Sequence, residues 1–315
     1  MRAVPPYMKA LKLPHPGPTR SLRRIFALVL LLGASSLLSG CYSIRTRSVT
    51  RTVLAPHILD ANVEQLKQRL EAQYSAIQTI NASVDIAAST GGEHEGKVKE
   101  IPTLAGYIFL RKPADLRVLL LVPVFRSRAL DMVSDGDQFK LLISAPKVRA
   151  VEGADVMTIP SKNGLENLRP NIIRDALQIP PVLPEEYVTL SEGSRMLPPV
   201  AGSKDTVEEP DYDLKVLHTK TDHELELVRV IHFGRVSLEP YEQDIYDHSG
   251  RIITVVRYDR YQKSGDVDFP MSILITRPLD EYKLQINFTK LVLNQKLTDD
   301  QFVLKFPDGV PVQKM

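Results

Sequence analysis

The chain has 315 residues, with 40 basic and 38 acidic side chains and one cysteine. One cysteine excludes an intramolecular disulfide and any metal site built from cysteines. Residues 1–40 hold six basic residues and no acid, so residues 41–315 carry 34 basic against 38 acidic residues. This mildly acidic balance, without an aromatic-rich basic stretch, argues against a nucleic-acid partner.

The first element along the chain is a predicted export signal, residues 1–40. Basic residues precede a short apolar stretch, Ile25 to Leu38, and small residues then lead to Cys41. This order is typical of a secretory signal. The run Leu38-Ser39-Gly40-Cys41 also resembles the lipobox of bacterial lipoproteins. The resemblance implies cleavage after Gly40 and a covalent diacylglycerol and N-acyl group on Cys41, with no other cofactor.

Two other interpretations fit this stretch less well. A transmembrane helix needs about 20 apolar residues, and the stretch is shorter. A buried core cysteine needs no basic and apolar segment before it. Residue 42 is Tyr rather than Asp. By the resemblance to Gram-negative lipoproteins, in which Asp at this position retains the protein in the inner membrane, we expect a lipid anchor in the outer membrane, on its periplasmic face.

Residues 41–59 are predicted to be a lipidated tether, because they show no apolar periodicity. Their three arginines, Arg45, Arg47 and Arg51, either contact anionic headgroups or belong to a solvated linker. A helix is predicted over Asp60–Ile80, with Asp60 or Asn62 as its N-cap. Its apolar residues recur at three- and four-residue steps, and they include Val63, Leu66, Leu70, Tyr74 and Ile77.

From Asn81 onward the apolar residues alternate with a period of two, which predicts strands. A meander of short strands fills residues 82–152, and a second strand-rich region fills residues 212–293. Between them we predict a second helix over Gly164–Leu177 and a polar loop insertion at about 191–211. Two helices are too few for a parallel α/β fold, so we expect a mainly β (α+β) domain over residues 60–315, with a curved antiparallel sheet or barrel.

Three segments together resemble the LolA/LolB-type lipoprotein carrier and receptor family, and more narrowly LolA-like bacterial lipoproteins. They are Ile77–Ala82, Gly106–Arg117 followed by Val133–Gly136, and Leu293–Phe302 closing with Phe306–Val310. The order of the motifs matches over about residues 62–312. The resemblance implies a half-open antiparallel β-barrel whose mouth is covered by two or so helices and whose apolar cavity takes acyl chains.

Two sets of residues are candidates for this function. The lid or cavity wall is assigned to Val63, Leu66, Leu70, Tyr74, Ile172 and Ile173, with a fully packed core as the alternative. By resemblance to the receptor member, the loop tip Pro123, Val124 and Phe125 is assigned to membrane contact, flanked by Arg126 and Arg128. The alternative for this segment is a strand that is buried on both faces.

The sequence contains no HExxH, GxSxG, P-loop or GxGxxG motif, and we expect neither an enzyme nor a metal site. Two hypotheses follow. In the first, the chain is a membrane-anchored periplasmic lipoprotein that binds lipid or lipoprotein acyl chains and acts like a receptor or carrier in delivery to the outer membrane. In the second, it is a non-enzymatic scaffold lipoprotein that binds other envelope proteins. Its expected partners are therefore the membrane and acyl chains in the first hypothesis, and envelope proteins in the second.

Overall fold

The structure, a computed structural model, describes residues 24–25, 28–29, 47, 49–144, 148–155, 169–198, 205–221 and 223–314. The strands and helices named below belong to one compact unit, Arg51–Met315. Cys41 and residue 42 lie outside the described residues, as does most of the predicted signal. Within the described part, no helix is long and apolar enough to cross a membrane.

The elements follow one another along the chain in a strand-rich order, with bounds as follows. The first half contains β1 (Thr52–Leu54), α1 (Val63–Ala76), β2 (Thr79–Thr90), β3 (Lys99–Arg111), β4 (Asp115–Leu121), β5 (Arg128–Ser134), β6 (Gln138–Ile143) and β7 (Arg149–Ala154). The second half contains α2 (Pro170–Leu177), β8 (Tyr187–Leu197), β9 (Thr206–Thr221), β10 (Glu224–Gly234), β11 (Pro240–Tyr246), β12 (Ile252–Ser264), β13 (Val267–Arg277) and β14 (Tyr282–Leu293), then a 3-10 helix (Asp299–Phe302) and β15 (Val312–Lys314).

The described strands form a single sheet that does not close on itself. Its order is β1-β9-β10-β11-β12-β13-β14-β2-β3-β4-β5-β6-β7-β15, and β8 pairs with the other side of β9. Every pairing is antiparallel except β1 with β9 and β15 with β7. An open, mainly antiparallel sheet with two α-helices among the described residues of this unit confirms the predicted fold class.

The sheet is strongly curved, as the contacts of α2 show. This eight-residue helix packs against both β5 and β13, which are five steps apart in the sheet order. Neighbouring strands are spaced by about 4.8 Å, so a flat sheet would separate the two by about 24 Å. A helix about 10 Å wide reaches both strands only if the sheet wraps around it.

One face of the sheet, the inner face, is therefore concave and carries the main core. Alternate residues of β2, for example Ile80, Ala82 and Val84, are buried there. The period-two pattern of the sequence arises because these residues point inward and their neighbours point to the outer face. The core sits between the inner face and the two helices.

The two helices begin differently. Asn62 is the N-cap of α1 and forms a reciprocal capping box with Gln65, which confirms one of the two predicted caps. The helix runs over Val63–Ala76, shorter than the predicted Asp60–Ile80. In α2, Pro170 occupies the first turn, and the N-cap residue Arg169 makes no side-chain capping bond.

Two sequence expectations are wrong in this region. The predicted polar loop at 191–211 is mostly a hairpin, because β8 reaches Leu197 and β9 begins at Thr206. The predicted tether contains an edge strand, since β1 pairs with β9 over Thr52–Leu54. In both places the strands carry polar or exposed side chains, so the sequence lacks the apolar alternation by which the other strands were recognised.

Candidate functional site

Three of the predicted lid residues close one half of the inner face. Leu66 and Leu70 of α1 are fully buried against Tyr212, Leu214, Ile231 and Phe233 of β9 and β10. Val63 packs against the same cluster. These side chains form a filled core in this half, so Leu66 and Leu70 hold α1 in place rather than line an open space.

Tyr74 does not join this apolar cluster. The Lys112 ammonium lies 3.5 Å from the centre of the Tyr74 ring, and it also donates a hydrogen bond to the Tyr74 carbonyl. The helical spacing grouped Tyr74 with the apolar stripe, but the ring is half-buried near the end of α1, where a lysine side chain covers it. Burial beside the ring lowers the pKa of Lys112.

The other predicted lid residues lie over the second half of the inner face. Ile173 is fully buried in the main cluster, and Ile172 packs against its border and is half-buried. Ile179, just after α2, packs against both clusters. The structure thus distributes five of the six predicted lid residues over two separate apolar clusters joined at Ile179, and it leaves Tyr74 outside both.

A set of apolar side chains on the inner face remains half-covered. These residues pack against the main cluster but keep part of their surface accessible, and they are Ala88, Leu104, Leu130, Val267, Met271, Leu291 and Leu293. Full burial of side chains of this size would be favourable by about 1.5–3 kcal/mol each. Accessible apolar surface on a concave face is the usual property of a lipid- or ligand-binding site.

A polar group, which the sequence reading missed, lies between α2 and strands β10–β12. Arg229 is buried and donates hydrogen bonds to the carbonyl oxygens of Pro180 and Pro181, each at 2.8 Å. Tyr258 and Gln243 are also buried on the inner face, and the Tyr258 hydroxyl and Gln243 Oε1 have no hydrogen-bond partner. Unpaired buried polar atoms are rare in proteins, so this wall can accept a polar part of a ligand.

Asp175 of α2 belongs to the same polar wall. Its side chain keeps 40% of its surface accessible, yet burial raises the pKa of this carboxyl to about 6. The accessible surface and the raised pKa are consistent if Asp175 lies in a recess that is walled by protein and open to water. In the sequence, Arg229 could be recognised only as a charged residue at an inward position of an otherwise apolar strand. No sequence pattern pointed to Asp175.

The predicted membrane loop lies between β4 and β5, fully exposed. Val124 is 92% and Phe125 83% accessible, and Pro123, Arg126 and Arg128 are exposed as well. The alternative of a strand buried on both faces is therefore wrong for this tip. The loop is closed by backbone hydrogen bonds between Val122 and Ser127 and between Val122 and Arg126.

The backbone of this loop is strained. Val124 has φ +70°, a left-handed conformation that is uncommon for any residue with a side chain and a clear outlier for a β-branched one. Such conformations cost about 1–3 kcal/mol and cluster at functional positions. A groove of about 370 Å³ lies beside the tip, lined among others by Asp85, Tyr107 and Arg126.

No protein-family profile and no curated protein matches this chain. Solved structures with a similar fold include a DUF1329 family protein from Desulfovibrio piger (17% identity; 76% of this chain and 94% of that chain; TM-score 0.48). Others are a LolA superfamily protein from Nitrosomonas europaea (12%; 78% and 99%; 0.46) and a domain from Vibrio parahaemolyticus named for outer membrane lipoprotein sorting (10%; 75% and 94%; 0.44). The last two names fall in the family that the sequence motifs resemble. At these identities and TM-scores, none of the three lends its function to this chain.

Proposed function

We propose that the chain is a non-enzymatic lipoprotein of the cell envelope, anchored through Cys41 in the outer membrane, that binds acyl chains of lipids or lipoproteins inside its half-open barrel. The half-covered apolar residues of the inner face carry the proposal. Each acyl methylene that leaves water for this surface contributes about 0.8 kcal/mol. The lipobox at Cys41 and the exposed apolar loop support a site of action at a membrane.

The decisive experiment is lipid capture by residues 43–315, which lack the anchor. The protein is purified from cells without detergent, extracted, and its lipids are identified by mass spectrometry. We expect acyl lipids with the wild type and their loss in Met271→Arg, which puts a charge on the half-covered inner face. Leu279→Arg is the matched control, because Leu279 is 49% exposed in the turn after β13. A folded protein that carries no lipid and rejects added fluorescent fatty acid would contradict the proposal.

The loop tip is tested separately. We expect the same fragment to co-float with vesicles of phosphatidylethanolamine and phosphatidylglycerol, with Val124 and Phe125 in the interface and Arg126 and Arg128 at the headgroups. Replacing both apolar residues by Ser should weaken binding at least tenfold, since burial of one such side chain contributes about 1.5–3 kcal/mol. Val303→Ser, at another exposed apolar position, should leave binding unchanged. Equal binding by all three proteins would remove the loop from the proposal.

A second candidate, the scaffold function, is favoured by the edge strand β8. Among the described strands it pairs only with β9, over eleven residues, and it exposes Tyr187 and Met196. A long unpaired strand edge can accept a strand from another protein. Lipid-free protein in the capture experiment, together with an envelope protein crosslinked to β8, would favour this function over the first.

A further inference from the structure

The outer face of β9, β10 and β11 holds a group of side chains that the proposed function does not use. We call it the histidine cluster, and it consists of His232, Asp213, Glu242 and Asp244. In the sheet register, His232 lies directly opposite Asp213 on one side and Glu242 on the other, and Asp244 lies opposite Val230. Three adjacent strands therefore bring one imidazole and three carboxylates together.

The imidazole is oriented by Asp213. Nδ1 of His232 lies 2.7 Å from Oδ1 of Asp213, so Nδ1 carries the hydrogen and donates it to the carboxylate. This assignment leaves Nε2 with its lone pair directed away from Asp213 when the ring is neutral. Metal-bound histidines almost always donate their other ring hydrogen to a carboxylate or carbonyl in this way.

The other ring nitrogen faces carboxylates without a hydrogen bond to either. Nε2 of His232 and Oδ1 of Asp244 are both shielded from solvent and have no hydrogen-bond partner. The shortest distance between the two side chains at this end is 3.5 Å, from Nε2 to Asp244 Oδ2. A charge-assisted hydrogen bond would be about 2.7–2.9 Å. Two ligands of one tetrahedral zinc ion, with bonds near 2.1 Å, lie about 3.4 Å apart.

We propose that His232, Asp244 and Glu242 bind a divalent transition-metal ion, with Asp213 as the residue that orients the imidazole. One ligand atom from each of the three residues lies within 4.8 Å of the other two, so the three converge on one point, and binding requires them to draw slightly closer. Two carboxylates balance the charge of a divalent ion. An imidazole ligand favours zinc over calcium or magnesium, which prefer oxygen alone.

The three proposed ligands differ in burial and in the partners that they already have. Asp244 and His232 are mostly buried, with side chains 13% and 17% accessible. Glu242 is 21% accessible and already shares Oε2 with the Arg257 guanidinium. We therefore expect Glu242 to be the weakest of the three ligands. A water molecule would supply the fourth ligand of a tetrahedral ion.

The competing arrangement is a protonated His232 held between two aspartates. Burial lowers the pKa of His232, but Asp244 and Asp213 outweigh it, so the pKa is raised. An imidazolium has no free lone pair and binds no metal. The two arrangements are therefore distinguished by direct titration with a metal ion.

The test uses the full chain in detergent, stripped of metal with a chelator and titrated at pH 7.5 with ZnCl₂ by calorimetry. We expect one Zn²⁺ per chain and, at a free concentration one hundred times the dissociation constant, a melting temperature raised by about 5 °C. His232→Gln and Asp244→Asn should weaken binding at least a hundredfold. Asp213→Asn should weaken it ten- to a hundredfold, and Glu242→Gln should have the smallest effect of the four.

His248→Gln is the matched control. His248 also lies near a carboxylate, Glu226 at 3.1 Å, but it is 93% accessible. This variant should bind Zn²⁺ like the wild type. Cobalt provides a readout that needs no variant, because Co²⁺ in a four-coordinate protein site absorbs visible light much more strongly than free, six-coordinate Co²⁺. Wild-type protein that is folded yet shows no saturable Zn²⁺ binding, or binding that survives in His232→Gln, would overturn the proposal.

Discussion

The two helices that cover the inner face are stabilised in different ways. The first, α1, has 14 residues, a complete capping box at Asn62 and two leucines in a filled core. The second, α2, has 8 residues, no side-chain cap, and a carboxyl, Asp175, with a raised pKa. Helices shorter than about 12 residues are marginal on their own, so α2 depends on its packing. On the proposed function, we therefore expect α1 to be the fixed cover and α2 to be the helix that yields to a ligand.

The largest expected effect comes from the core side of α1. Leu66→Ala removes a fully buried side chain and should lower the free energy of unfolding by about 3 kcal/mol, because it leaves a cavity. Ile172→Ala on α2, at a half-buried position, should cost about 1 kcal/mol. Urea denaturation of both variants measures this difference in the free energy of unfolding. Equal losses would mean that packing stabilises the two helices to the same extent.

The capping box of α1 should have a smaller effect. Asn62→Ala removes the side chain that accepts a hydrogen bond from the Gln65 amide and should lower the free energy of unfolding by about 1 kcal/mol. Asn62→Ser keeps a capping oxygen and should change it little. If both variants are as stable as the wild type, the N-terminus of α1 does not contribute to its fixed position.

Replacing Asp175 of α2 by Asn should raise the free energy of unfolding rather than lower it, and the effect should depend on pH. The pKa of Asp175 is raised to about 6 in the folded chain, against an ordinary value near 4. Between about pH 4 and pH 6 the folded chain therefore holds more protons than the unfolded chain, and stability falls as pH rises. Asp175→Asn should be more stable than the wild type above pH 6 and equal to it below pH 4.

The size of the Asp175 effect is limited by water. The side chain is 40% accessible, so solvent screens its charge, and we expect about 1 kcal/mol or less at pH 7.5. Thermal melts of both proteins from pH 4 to pH 8 measure it. If the difference in stability between the two proteins did not change across this range, the pKa of Asp175 would not be raised. The recess would then be solvated like bulk water.

The smallest expected difference is in the hydrogen-exchange rates of the two helices, and measuring it needs no mutation. Backbone amides of α2 should exchange with deuterium faster than those of α1, because local opening of a short, uncapped helix costs less free energy than global unfolding. Added fatty acid should slow exchange in α2 and leave α1 unchanged if α2 closes over the ligand. Faster exchange in α1 would reverse the assignment of the two helices.

The strands with one apolar side were predictable from the sequence. In β2, apolar residues such as Ile80 and Val84 alternate with half-covered outward residues, because the inner face of this strand is packed against the core. The part of the β8–β9 hairpin within 191–211 was missed because polar pairs join its two strands there. Arg195 with Glu209 and Ser194 with Glu208 are examples, and such pairs leave no apolar period in the sequence.

The candidate sites were predictable only where they are contiguous in sequence. The loop tip at Val124 and Phe125 was recognised from one apolar run. Arg229, Tyr258 and the histidine cluster were not, because their members come from different strands and meet only through the sheet register. A search for HExxH spacing finds ligands on one helix, whereas His232 and Asp244 lie across a strand pair.

The pairing of β1 with β9 has a consequence for how far the barrel can work from its anchor. Thr52 is held in the sheet, so only ten residues separate it from Cys41. Fully extended, this segment spans at most about 40 Å, whereas the tether predicted from the sequence would have been about two-thirds as long again. A lipid on Cys41 would thus confine the barrel to a thin layer next to its own membrane, where cargo must be handed over at short range rather than fetched from a distant bilayer.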